Sequence, residues 1–98
     1  MADKADDSVS NWTFLTNHAH VILCLAKSSS MRIRDLAIEV GITERAVQRI
    51  IAELVEEGYL TKKKEGRRNS YDICTKCSLK HPIEGHRNID DLIKMILD

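Results

Sequence analysis

The sequence predicts one domain that is mainly α with a small antiparallel β-hairpin wing. Three observations predict it. Residues 33–54, IRDLAIEVGITERAVQRIIAEL, read as two short helices about a tight turn. After Gly58 the chain runs YLTKKKEGRRNSYDI, two strand-forming segments about Gly66. The segments on either side repeat apolar residues at helical spacing. Ninety-eight residues suit one small core.

Residues 1–10 are small and polar and predict a disordered N-terminal tail, leaving 11–98 as the domain. Trp12 and Phe14 open the ordered part and are expected to pack on the body or on a partner. Thr16 or Asn17 can cap a first helix that runs to about Lys27, with Val21, Ile22, Leu23 and Leu25 largely inside. Ser28 to Ser30 break it, and Met31 to Ile33 are expected to form a short strand paired with the hairpin.

Each feature of 33–54 has a mechanical reason. Ala37 is small where two steeply crossing helices approach, and Gly41 tolerates the turn between them. Leu36, Val40, Ile42, Val47 and Ile50 lock one helix against the other. Thr43 is a good N-cap for a recognition helix over about 44–57. Val47, Ile50, Ile51 and Leu54 form its inner stripe, and Glu44, Arg45, Gln48 and Arg49 fall opposite. Arginine can bond guanine O6 and N7, and glutamine can bond adenine N6 and N7. Arg45, Gln48 and Arg49 therefore suit base contact in a major groove, although such a face is also what a solvated helix shows.

Gly58 ends that helix as a C′ glycine would. In the wing, about 59–74, Lys62, Lys63, Lys64, Arg67 and Arg68 set five positive charges against Glu65. Such a loop, with Thr43, suits DNA backbone contact, the main source of non-specific affinity. A loop of about 75–87 follows. Asn88 then caps a C-terminal helix over 88–97, where Ile89, Leu92, Ile93 and Ile96 recur at helical spacing.

With LAIEVGITERAVQRIIAELVEEGYL and GRRNSY in place, the chain resembles the small MarR-like winged helix-turn-helix transcriptional regulators of bacteria and archaea, over roughly residues 14–97. The resemblance implies sequence-specific binding to double-stranded DNA, with Arg45, Gln48 and Arg49 in the major groove. It places Lys63, Lys64, Arg67 and Arg68 on phosphate or in the minor groove. Full MarR proteins have longer terminal helices that build a dimer and a ligand pocket, and this chain has little length for either.

The formal net charge is zero. Its distribution matters more than its sum: Asp3, Asp6 and Asp7 lie in the tail, and Glu53, Glu56 and Glu57 at the far end of the recognition helix. Glu44 favours the helix dipole but repels nearby phosphates. No apolar run reaches about 18 residues and no secretory signal is visible, so a cytoplasmic location without a membrane partner is expected. The apolar face of the last helix, with Trp12, Phe14 and the first helix, is expected to form a homodimer. Two recognition helices ~34–36 Å apart would then span one turn of a palindromic site.

One rival signal lies in the loop. Cys74, Cys77, His81 and His86 are zinc-ligand types spaced C-x2-C-x3-H-x4-H, but the gap between the pairs is too short for an ordinary zinc finger. The cysteine pair also reads as a redox pair, and Cys24 as core. No metal and no cofactor is expected. There is no phosphate-binding glycine loop, nucleophile elbow or paired carboxylates, so an enzyme is not expected. The alternative to a DNA-binding regulator is a winged helix serving as a protein-interaction or RNA-binding module.

Overall fold

Thr16 starts the first helix, α1 (Asn17–Lys27), by accepting a hydrogen bond from the Ala19 amide at 3.3 Å. The computed structural model describes residues 12–98, so the tail expected over 1–10 lies outside the described residues. Five consecutive α1 residues, Val21 to Leu25, are buried. A helix can bury five in a row only when neighbours cover it on most sides. Here α2 (Ile33–Val40), α3 (Glu44–Glu56), β2 (Arg68–Ile73) and α4 (Ile89–Leu97) all pack on it.

The core centres on Leu25, Leu36, Val21 and Val47, the largest fully buried side chains. Each such side chain stabilises the fold by about 1.5–3 kcal/mol relative to exposure. Ala37 is buried between α2 and α3, and Gly41 turns the chain at φ 85°. The Gly41 and Ile42 amides both donate to the Ala37 carbonyl, at 2.8 and 3.0 Å. A side chain at φ 85° would be strained, so glycine is the residue that lets the two helices meet there.

Gly58 (φ 87°) closes α3 in a Schellman arrangement. Tyr59 N–H donates to the Leu54 carbonyl at 2.8 Å and Gly58 N–H to that of Val55 at 3.1 Å. The chain is thereby aimed directly into β1 (Leu60–Glu65), which pairs antiparallel with β2 from Leu60↔Ile73 to Glu65↔Arg68. Gly66 and Arg67 form the turn.

The strand expected at Met31 to Ile33 does not form. Ile33 is already the first residue of α2, and the described sheet has only β1 and β2. Met31 N–H turns back to the Ser28 carbonyl at 3.2 Å, and Arg32 is the extended N-cap of α2. A tight turn followed at once by a helix leaves no length for a ladder. What survives is one backbone bond, from the Tyr71 amide to the Ser29 carbonyl at 3.0 Å.

The last helix begins in a reciprocal capping box. Asn88 accepts from the Asp91 amide at 2.9 Å, and the Asp91 carboxylate accepts from the Asn88 amide at 3.0 Å. Ile89 and Leu92 are buried on its inner side, while Met95, Ile96 and Leu97 are exposed.

Candidate nucleic-acid interface

The sequence of α3 divides its surface sharply. Val47, Ile50, Ile51 and Leu54 are buried against the body, and Glu44, Arg45, Gln48 and Arg49 are exposed. Thr43 caps the helix, its hydroxyl accepting from the Ala46 amide at 3.0 Å. That bond sets where α3 starts, and so which residues point outward. The Thr43 oxygen is occupied in this cap, which leaves its hydroxyl proton for an external acceptor.

Arg49 lies 3.7 Å from Glu53, one helical turn on, and the pair is exposed enough to exchange freely with another anion. Glu53 is held from the other side by His18 of α1, Nε2 to Oε1 at 2.7 Å. The hydrogen bond from His18, with Arg49 nearby, holds the Glu53 carboxyl below the usual carboxylate range. His18 thus ties α1 to α3 beside the outward face. This link carries no local signal in the sequence, because its partners stand 35 residues apart.

The wing's cations divide by strand register. Lys62 and Lys64 share a face with Leu60 and Tyr71, while Lys63 and Arg68 share the other with Ser70 and Asp72. Lys63 is paired with Asp72 at 2.6 Å, and the Asp72 bond raises the Lys63 pKa above the usual lysine value. Arg68 donates to the Ser30 carbonyl at 2.7 Å, bracing the wing against the α1–α2 turn. Lys62, Lys64 and Arg67 are exposed, with no side-chain hydrogen bond or ion pair among the described residues. The five cations the sequence grouped together are therefore three outward charges and two with local partners.

Between the wing and the start of α2 lies an open cavity of about 370 Å³, lined in part by Ser30, Arg32, Arg67, Arg68 and Asn69. No side chain caps the α2 N-terminus, where the first amides of a helix favour an anion. Arg32 stands at that end. Its sequence signal, a cation immediately before a helix start, was legible but was hidden by the strand expected at 31–33.

The zinc-type residues are not brought together. Cys74 and Cys77 form a disulfide across a tight turn, Cα to Cα 5.6 Å. The His81 ring turns back on its own loop, Nδ1 accepting from the Ile83 amide at 3.1 Å, and His86 is exposed. Among the described residues no group of three or more His, Cys, Asp or Glu is placed to hold a metal ion.

The arrangement leaves a polar, arginine-bearing helix face and three wing cations exposed. Residues 17–61, which run from α1 through α3 into the first wing strand, match the family described as winged helix-turn-helix DNA-binding. The helices and hairpin have the winged helix-turn-helix fold. The winged helix-turn-helix part of the resemblance drawn from the sequence is borne out in this match and in the order of helices and wing. Among solved structures, the chain is similar to the zinc-dependent MarR family transcriptional regulator AdcR in its Zn(II)-bound state, at 30% identity and a TM-score of 0.48. The alignment covers 65% of this chain and 46% of that one, so this chain spans less than half of that regulator's length. No curated protein matches the chain. No helix of the described winged-helix domain is long and apolar enough to cross a membrane.

Proposed function

We propose that this winged helix-turn-helix chain is a sequence-specific transcriptional regulator that grips double-stranded DNA as a homodimer. One observation carries the reading. The apolar side of α3 is fully engaged in the core, while Arg45, Gln48 and Arg49 are left outward on the same rigid helix. On this reading Arg45, Gln48 and Arg49 read base edges in the major groove. Thr43, Lys62, Lys64 and Arg67 contact the DNA backbone, the wing reaching phosphate or the minor groove, and Lys63 and Arg68 contribute less there because each has a local partner. Arg32 adds a phosphate contact at the open end of α2. Regulation by DNA binding places the protein with the genome, in the cytoplasm.

The dimer rests on α4. Its inner side packs on α1, yet Met95 is 67% exposed and Ile96 47%, at the chain's end. A second copy is the occupant that would double the DNA contacts and give a palindromic site, with recognition helices ~34–36 Å apart. The N-terminal Trp12 and Phe14, packed edge to face with centroids 5.0 Å apart, remain exposed and extend the apolar surface on offer.

Selection from a random duplex pool, followed by titration at several salt concentrations, tests the reading. The expected result is an enriched inverted repeat whose affinity falls steeply with salt. Preferential binding to single-stranded RNA, or no nucleic-acid binding at all, would favour the interaction-module alternative. Sedimentation tests the dimer: Met95→Glu with Ile96→Lys should yield a monomer, and a wild-type monomer at tens of micromolar would refute it.

A further inference from the structure

Residues 74–78 join three elements in one short loop. The Cys74 amide donates to the Tyr59 carbonyl at 2.9 Å, where α3 passes into the wing. The Tyr59 hydroxyl donates to the Ser78 carbonyl at 2.6 Å. At the start of α4, the Ile89 amide donates to the Cys77 carbonyl at 3.0 Å and the Asp90 amide to that of Thr75 at 2.9 Å. The loop is thus the common anchor of the wing root and the last helix. Its two cysteines are joined, Cα to Cα 5.6 Å, within the ordinary span of a disulfide. Both are half-buried, so a small reagent can reach them. The remaining cysteine, Cys24, is buried in the core, and burial pushes its thiol up, which keeps it unreactive.

We propose that Cys74 and Cys77 are a reversible thiol–disulfide site, set where it fixes the anchor between the wing root and α4. The oxidant is a low-molecular-weight disulfide. A thiolate of the pair attacks one of its sulfurs, the S–S bond of the reagent breaks, and one small thiol leaves. The second cysteine, as thiolate, attacks the protein sulfur of the mixed disulfide, and a second small thiol leaves. The protein loses two protons and two electrons, and the reagent is reduced to two thiols. A dithiol reverses the exchange.

The bridge closes a loop between positions three apart. On the chain-entropy account, a loop this short biases the local closed state over the open one roughly twentyfold. The amides that donate into the loop, Ile89 and Asp90, report that bias directly.

The test uses the full chain without DNA, so it is independent of the DNA-binding reading. The protein is treated with oxidised glutathione or with dithiothreitol, thiols are counted after denaturation, and hydrogen exchange is followed at Ile89 and Asp90. The expected counts are one thiol, Cys24, in the oxidised protein and three in the reduced. Reduction should speed exchange at both amides about twentyfold. The variant Cys74→Ser with Cys77→Ser should exchange like the reduced protein under both treatments. Three thiols after oxidation would overturn the proposal, as would covalent dimers on a non-reducing gel or exchange indifferent to reduction.

Discussion

Replacing Lys62, Lys64 and Arg67 together by alanine should remove most of the wing's contribution to the salt dependence of DNA binding. The reasoning starts from which wing cations are committed locally. Lys63 already faces the Asp72 carboxylate at 2.6 Å, and Arg68 is bonded to the Ser30 carbonyl at 2.7 Å. The three outward cations remain, and each phosphate neutralised contributes about 0.9 to the slope of log K against log salt. Losing all three should lower that slope by about 2.7. Across a fourfold rise, from about 50 to 200 mM, wild type should therefore lose about fortyfold more affinity than the variant. The single changes sharpen the test: Lys64→Ala should remove close to ~0.9 from the slope and Lys63→Ala well under half of that. The assay is fluorescence anisotropy on one duplex at four or more salt concentrations. A triple variant whose slope fell by less than about one unit would refute the wing geometry argued here, as would equal effects of Lys63→Ala and Lys64→Ala.

Arg49→Ala should cost ~1–3 kcal/mol on the preferred site and relax preference at one base position, as read by competition between single-base variants of the site. Thr43→Ala removes the cap on the Ala46 amide and should destabilise the domain by about 1 kcal/mol, whereas Thr43→Ser should retain most of it. For a domain of this size that is a drop in Tm of about 4–8 °C, checked by thermal melts followed by circular dichroism. The Glu53 carboxyl titrates below its ordinary range because His18 and Arg49 face it. A depressed folded pKa gives stability that is present above the unfolded carboxylate value and is lost as pH falls through the folded one. His18→Ala should therefore weaken this acid-side loss, and an NMR titration of the Glu53 side chain should move up toward the ordinary value. An unchanged Glu53 titration would mean that the His18 bond does not form in solution.

The helix-turn-helix was legible because its constraints are local. Ala37, Gly41 and Thr43 lie within seven residues of one another, and each states its role through size, backbone freedom or hydroxyl placement. The end of α3 was legible for the same reason, since Gly58 completes a motif closed within one turn. Met31 to Ile33 misled because strand preference there is weak evidence. The turn at Ser28 and the early start of α2 outweighed it, and Arg32 was overlooked with it. Within the candidate site, the exposed positions of α3 follow from its periodicity, but the commitments of Arg49, Lys63 and Arg68 do not. Arg68 and Ser30 stand 38 residues apart, and only the folded chain brings them together. The cysteine pair was legible as chemistry but not as location, because spacing does not say that residues 74–78 tie the wing root to α4.

A formal charge of zero is compatible with the proposed interface because what a duplex meets is the local distribution of charge, not its sum. The chain extends 48 × 32 × 24 Å, and the Debye length is about 10 Å at 0.1 M salt. A carboxylate farther than that from a bound duplex is largely screened from it. The carboxylates of α3 and its cap are also partly compensated where they stand: Glu53 by Arg49 at 3.7 Å, and Glu57 by Lys80 at 3.0 Å. On the proposed docking, a duplex meets the exposed Arg45, Lys62, Lys64 and Arg67, with Glu44 and Glu65 as the acidic residues next to them in sequence. Glu44 sits in the first turn of α3, where the helix dipole offsets part of its charge. The balance of the whole chain then governs its solubility, and on the proposed docking the local balance at the interface governs the encounter with a duplex.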